Sequence, residues 1–316
     1  MEYLVTGGAG FIGSHLVERL VEQKKKVRVV DNFITGKREN LAPVADRIEL
    51  FTGDLADPAV CARVCEGVRI IFHEAALPSV PKSVADPATS HRSNLEATFQ
   101  LLVAARNARV QRVIYAASSS AYGESPTLPK REDMPSTPLS PYAVQKLGGE
   151  HYCSVFARCY GLETISLRYF NVFGKRQDPA SQYAAAIPAF ITSILADRPP
   201  TIFGDGEQTR DFTYIENVVE ANLLAMNAPA EKVSGRVFNV ATGQRITLND
   251  AVTSLRELTG YTGPVDYAAP RAGDIAHSLA DISLARTALG YEPKVNFHEG
   301  LRRTILWYRG LATAAQ

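Results

Sequence analysis

A chain of 316 residues with 34 Lys and Arg against 33 Asp and Glu has a formal charge of +1 at pH 7. That balance excludes the one-sided field of a nucleic-acid or membrane-surface binder, and no apolar run approaches the roughly 18 residues of a membrane helix. The cysteines, Cys61, Cys65, Cys153 and Cys159, lack the paired C-x-x-C spacing of a zinc or redox site, so no metal is expected.

Tyr3 to Thr6 reads as a strand. Glycines from Gly7 leave no space for a secretory signal before it, and a reducing cytoplasm is the expected setting. A helix follows with Ile12, Leu16, Val17, Leu20 and Val21 on one face. The basic run Lys24, Lys25 and Lys26 reads as solvated surface. Val27 to Val30 reads as a continuous apolar strand buried on both faces. Further strands are predicted at Ile48 to Thr52, Ile70 to His73, Val113 to Ala117 and Thr164 to Tyr169, with helices near 58–66, 94–107 and 142–160. Cys61 and Cys65, four apart in the first of these helices, read as buried thiols. Such alternation is the pattern of a parallel sheet with crossover helices. Beyond Asn171 prolines and glycines multiply, and helices are predicted near 187–196, 216–227, 249–258 and 283–289. Val237 to Val240 reads as a strand able to rejoin the main sheet. The expected class is α/β: a Rossmann-type doubly wound parallel sheet over residues 1–170, with a smaller C-terminal α/β lobe over 171–316.

The loop Thr6-Gly7-Gly8-Ala9-Gly10-Phe11-Ile12-Gly13 joins the first strand to the first helix. Gly7, Gly10 and Gly13 permit a tight turn, close approach of a pyrophosphate and close helix–strand packing, and the helix N-terminus offers free N–H groups. Asp31 ends the second strand 18 residues after Gly13, where a carboxylate accepts from ribose hydroxyls and repels a 2′-phosphate. NAD is therefore expected in preference to NADP, with Lys37 and Arg38 as opposing charges nearby. Asp54, after the third strand, is either an adenine contact or a turn-capping carboxylate. Asn32 and Leu55, each following one of these carboxylates, complete this part of the expected cofactor contacts.

Tyr142 and Lys146 lie one helical turn apart on one face. A phenol near its usual pKa of about 10 is a poor base; an ammonium and a positive nicotinamide beside it are expected to lower that value. Ser118, Ser119 and Ser120 follow a strand at the carboxyl edge of the sheet, where ligands bind in open α/β folds. A hydroxyl there can bond the reacting oxygen of a substrate and assist the proton shuttle.

These motifs, together with Ser118 to Gly123, Ser140 to Lys146, Leu167 to Gly174, Gly204 to Phe212 and Arg271 to Asp274, resemble the extended short-chain dehydrogenase/reductase family, in its sugar-nucleotide epimerase and dehydratase branch. The resemblance runs from Thr6 to Asp281. It implies Tyr142 as acid/base, Lys146 on the nicotinamide ribose, and Ser118 as the catalytic hydroxyl, with Ser119 close enough to share the role. It implies that Asn94 supports the lysine through water, that Ala75 and Ala76 line the cofactor beside Phe11 and Ile12, and that Tyr169 and Val172 flank the nicotinamide. His73 is read first as a strand residue.

By the same resemblance Asn171, Arg210 and Arg271 contact the diphosphate-sugar, Asp274 the uridine ribose, and Phe203 packs near the uracil. Guanidinium forks suit phosphate oxygens. A 4,6-dehydratase of this branch carries Asp-Glu after the catalytic hydroxyl; Ser119 and Ser120 stand there, which leaves NAD-dependent inversion of C4 of a UDP-hexose through a 4-keto intermediate. Ser278, at the position resembling the family's size gate, leaves room for an N-acetyl group. Pro78-Ser79 and Tyr183 to Ala186 resemble members acting on UDP-GlcNAc and UDP-GalNAc. UDP-glucose remains open as substrate, as do a uronate 4-epimerase or decarboxylase and a non-catalytic NAD-sensing protein. A homodimer through the helices near 94–107 and 142–160 is expected, although Leu101, Leu102, Tyr152, Val155 and Phe156 fit internal packing equally well.

Overall fold

The computed structural model describes residues 1–179, 186–270 and 276–314. β1 (Tyr3–Thr6) passes through the glycine loop into α1 (Phe11–Glu22) and β2 (Val27–Asp31). A 3-10 segment at 38–47 leads to β3 (Ile48–Thr52), α2 (Pro58–Cys65) and β4 (Ile70–His73). Two short helices, α3 (Val80–Ala85) and α4 (Pro87–His91), run through a π-helical turn at Arg92–Glu96 into α5 (Ala97–Asn107). β5 (Arg112–Ser118), α6 (Pro141–Tyr160) and β6 (Glu163–Tyr169) follow. Then come β7 (Val172–Phe173), α7 (Ala186–Leu195), β8 (Thr201–Phe203), β9 (Thr209–Arg210), β10 (Thr213–Tyr214), α8 (Ile215–Asn227) and α9 (Ala230–Val233). The chain continues through β11 (Arg236–Val240), β12 (Ile246–Thr247), α10 (Leu248–Thr259), β13 (Asp266–Ala268), α11 (Ser283–Leu289) and α12 (Phe297–Ala314).

Among the described residues seven parallel strands form one sheet in the order β11-β6-β5-β4-β1-β2-β3. The order reverses between β4 and β1, and a crevice outside the carboxyl ends of a doubly wound sheet opens at such a point. Strands β1 and β4 are buried along their whole length, as a sheet covered on both faces requires. α1 and α8 pack together on one face, and α2, α5 and α6 on the other. β11, from beyond residue 171, pairs with β6 from Arg236↔Ile165 to Val240↔Tyr169.

β2 departs from the expected apolar run because Arg28 lies within it. Its Nε donates to Glu49 Oε2 at 2.8 Å, and a terminal nitrogen donates to the carbonyls of Val64 and Glu66 at 2.8 and 2.9 Å. The guanidinium thereby closes the C-terminal carbonyls of α2, which no intrahelical donor reaches. Arg112 repeats the device, donating to Ala225 and Met226 at the end of α8. α12, with Leu301, Thr304, Ile305 and Tyr308 buried, lies beyond the last helix that the sequence reading assigned.

All four cysteines are free, and Cys61, Cys65 and Cys153 are buried. Leu101, Leu102 and Phe156 belong to the internal core, whereas Val144, Tyr152 and Val155 remain exposed on α6. Among the described residues no helix is long and apolar enough to cross a membrane, and no group of three or more His, Cys, Asp and Glu is placed to hold a metal.

α6 is locked to β6 by a buried ion pair, in which Arg168 donates to the two oxygens of Glu150 at 2.9 and 2.7 Å. The same guanidinium lies 4.5 Å from the Tyr122 ring centroid. Glu150→Gln leaves that guanidinium buried without its countercharge. We expect a loss of about 3–5 kcal/mol in a denaturant melt; a change below about 1 kcal/mol would contradict this role for the pair.

Candidate active site

The glycine loop forms a cradle at the reversal of strand order. Gly7 has φ +63°, and a Cβ there would lie 2.7 Å from the backbone N and Cα of Ala75. Gly13 is equally closed, since its Cβ would fall on the carbonyl oxygen of Gly7. Gly10 caps α1 with no side-chain hydrogen bond, so Phe11 and Ile12 open the helix with backbone donors that no capping side chain takes up. Asp31 accepts from Ala9 N at 2.9 Å and Phe33 N at 2.8 Å, and burial holds its carboxyl above the usual range. A carboxylate beside a glycine cradle and an uncapped helix start fits a dinucleotide with a free ribose.

The residues around this cradle have other partners as well. Asn32 accepts from Ile34 N, and Leu55 is buried in the core between α2 and α5. Asp54 accepts from Ala56 N at 2.9 Å and from Arg92 at 3.3 Å, the turn-forming arrangement. Ala75 N donates to Thr6 Oγ1 at 3.2 Å, and Ala76 is half-buried. His73 is a buried strand residue bonded to Thr6 and Thr98 at 2.8 and 2.9 Å, and burial lowers its pKa to about 3.

The first turn of α6 stands against the carboxyl end of β5. Pro141 at N1 and the Ser140 cap, which accepts from Ala143 N at 3.2 Å, start the helix at this point. Lys146, buried, donates to the Ala116 carbonyl at 2.7 Å. Burial brings its pKa down to about 8, while Glu74 and Glu150 pull it up. Glu74 is itself pushed up to about 7 by burial and accepts from Tyr169 at 2.8 Å, and Asn222 donates to that same hydroxyl at 2.8 Å.

Tyr142 is held above the usual phenol range by burial, and a hydrogen bond with Ser118 pulls it back. The protein's own groups therefore do not lower this phenol as the Tyr142/Lys146 spacing led us to expect, because the ammonium is directed at Ala116 O. Ser118 Oγ accepts from Ser120 N at 3.2 Å and Ser120 Oγ at 2.9 Å. With both lone pairs engaged, Ser118 has only its own proton left to offer a further partner. Ser119 is half-buried in the 3-10 turn after β5.

Asn94 sits in the π-helical turn, a feature frequent at functional sites. Its amide accepts from Leu77 N at 2.7 Å and donates to Gln145 Oε1 at 2.8 Å, tying the segment before α5 to the helix of Tyr142. Ser79 caps α3 by accepting from Lys82 N at 3.3 Å. Ser83 and Gln145 join this cluster without having been singled out in the sequence, because neither gave a spacing signal; Ser120 and Glu74 lie in segments that the sequence had marked.

After β6, Asn171 has φ +25°, and its carbonyl accepts from Thr213 N at 3.2 Å. Val172 pairs with Thr213. Phe203 ends β8 opposite Ala268, and Ala186 opens α7. Arg210 and Ser278 come together at β9: Arg210 donates to Thr209 O and Ala276 O, and Ser278 N donates to Thr209 O at 3.0 Å. Lys130 pairs by backbone with Leu279 and Asp281 at 2.7 and 2.9 Å, which sets the Ser278 segment against the loop between β5 and α6. Arg271, Asp274 and Tyr183 to Ala185 lie outside the described residues.

Residues 3–241 match the model of the NAD dependent epimerase/dehydratase family. A UDP-N-acetylglucosamine 4-epimerase from Methanobrevibacter ruminantium, solved with UDP-N-acetylmuramic acid, is 42% identical, with a TM-score of 0.93 and 98% of each chain covered. The UDP-glucose 4-epimerase of Thermotoga maritima, solved with UDP-glucose, is 39% identical, with a TM-score of 0.94 and 99% of this chain and 100% of that one covered. The UDP-glucuronic acid 4-epimerase of Bacillus cereus, solved with its UDP-sugar and NAD, is 32% identical, with a TM-score of 0.90 and 98% and 100% covered.

Gly7→Ala tests the cradle. Its Cβ has no space against Ala75 and its φ strains any L side chain, so we expect NAD retention by the purified protein to fall at least about tenfold. Undiminished NAD content would place the dinucleotide elsewhere.

Proposed function

The chain belongs to the NAD dependent epimerase/dehydratase family, and we propose that within it this enzyme inverts C4 of a UDP-hexose, with an N-acetylated hexose as preferred substrate. The observation that carries the reading is geometric: Lys146, one turn after Tyr142, ties the start of α6 to the carboxyl edge of β5, where Ser118 ends the strand. When bound, NAD would supply the hydride acceptor and donor for C4, with the O4 proton going to the protein, and its positive ring would favour phenolate.

Tyr142 is positioned to take the proton from O4 and later restore it. Ser118, its own proton directed outward by the two bonds from Ser120, is the better candidate than Ser119 for the hydroxyl at O4. Lys146 orients the cofactor ribose, and its ammonium is supported by Glu74 and Glu150. The two serines after Ser118 offer no acid to expel water from the sugar, which argues against dehydration. Gly7, Gly10, Gly13 and Asp31 hold the dinucleotide; Asn171 and Arg210 grip the diphosphate, so that the nucleotide stays fixed while the 4-keto sugar turns between its two faces. Positioning and the local field at O4 supply most of the rate enhancement.

The acetylated substrate rests on the small side chain of Ser278, whose backbone N–H donates to Thr209 O next to Arg210, and on likeness to the Methanobrevibacter enzyme. Likeness to the Thermotoga enzyme favours UDP-glucose as the second reading. We also infer a homodimer through the α6 face bearing Val144, Tyr152 and Val155; a monomeric mass in solution would reject it.

The wild type should convert UDP-GlcNAc to UDP-GalNAc, and Ser278→Tyr should suppress that conversion at least about tenfold while sparing UDP-glucose, since one steric conflict in a pocket is worth a factor of this size. Product analysis by chromatography decides. No UDP-GalNAc from the wild type would overturn the acetylated reading, and equal loss of both activities in the variant would reject Ser278 as the gate.

A further inference from the structure

The first N–H groups of a helix have no intrahelical acceptor, and buried donors of this kind are nearly always paired. In α6 the pairing can be followed residue by residue. Pro141 has no N–H. Ala143 N donates to the Ser140 hydroxyl at 3.2 Å, and Val144 N donates to the Ser140 carbonyl at 3.0 Å. Tyr142 N alone among these leaves its own element, donating to Ser83 Oγ on α3 at 3.1 Å.

Ser83 is fully buried. Its single proton goes to the Val80 carbonyl at 2.6 Å, so the side of the oxygen facing Tyr142 is a lone pair held in a fixed direction. A turn further on, Ser90 and the Asn94 amide both donate to Gln145 Oε1, at 2.7 and 2.8 Å. The segment from α3 to the π-helical turn thus grips the catalytic helix at two points, and the first of them is the backbone of the tyrosine itself.

We propose that Ser83 is a positioning residue for Tyr142, fixing from a neighbouring helix the backbone from which the phenol reaches Ser118. The proposal rests on Tyr142 being the acid/base. Loss of the oxygen leaves a buried amide without an acceptor, and the first turn shifts to find one. A displacement of a reacting group by a fraction of an ångström to one ångström costs up to about a hundredfold in rate.

The test compares Ser83→Ala, Ser83→Cys and Tyr142→Phe as NAD-loaded proteins, on the UDP-hexose that the wild type turns over. Cysteine keeps the volume and offers only a weak acceptor. Both Ser83 variants should lose on the order of tenfold to a hundredfold in kcat, with KM within about twofold and NAD content unchanged, and the pH profile of kcat should move as the phenol–Ser118 bond is disturbed. Wild-type kcat in either variant would overturn the proposal. So would a loss that tracks KM or NAD content, or failure of both variants to fold, since each of those marks a role in the fold. Full turnover by Tyr142→Phe would instead remove the acid/base reading itself.

Discussion

A phenol at the edge of a parallel sheet is useful only where its helix is held still, and here the holding begins with the hydrogen bond from Lys146 to the Ala116 carbonyl. That bond joins α6 to the last turn of β5 across the layer between helix and sheet. An ammonium buried this deeply needs countercharge, and Glu74 and Glu150 favour its charged form. Glu150 is in turn occupied by Arg168, so the charges form a chain from β6 through α6 to the end of β4.

The site's location follows from topology. Strand order reverses between β4 and β1, and the glycine loop leaves β1 at that gap with Gly7 pressed against Ala75. The groups that meet there come from the ends of β1, β2, β4, β5 and β6, all pointing the same way. Short backbone ladders then tie later segments to the loop between β5 and α6 and to one another: Lys130 with Leu279 and Asp281, and Ser278 with Thr209. A pocket assembled in this way can vary its sugar contacts in the loops while the redox half stays on rigid strands.

The first half of the fold was legible because buried parallel strands and amphipathic helices leave strong periodic signals, and the predicted strands at 3–6, 48–52 and 70–73 coincide with β1, β3 and β4. Arg28 shows where such reading fails: a guanidinium buried to close another helix's carbonyls looks, in the strand alone, like an interruption. α3 and α4 have six and five residues, too few for a 3.6-residue period to register. The two-residue strands β7, β9, β10 and β12 are defined by their partners and carry no pattern of their own. α12 did carry one, in Leu301, Ile305 and Tyr308, and its apolar spacing was there to be read. Around the site, Tyr142, Lys146 and Ser118 were visible as spaced residue types. Ser83 and Gln145 were not, because their importance lies in which backbone or amide they meet across the fold.

Ionisation of the Tyr142 phenol tests the account most directly. Tyrosinate absorbance can be followed across pH in the NAD-bound wild type and in Tyr142→Phe. Burial raises this phenol and Ser118 offsets that only in part, so the lowering falls to the positive nicotinamide: the NAD-bound wild type should show one tyrosinate appearing below the usual value of about 10, and the variant should lack it. Superimposable titrations of the two proteins up to that value would contradict the assignment of Tyr142 as the group that exchanges a proton with the sugar.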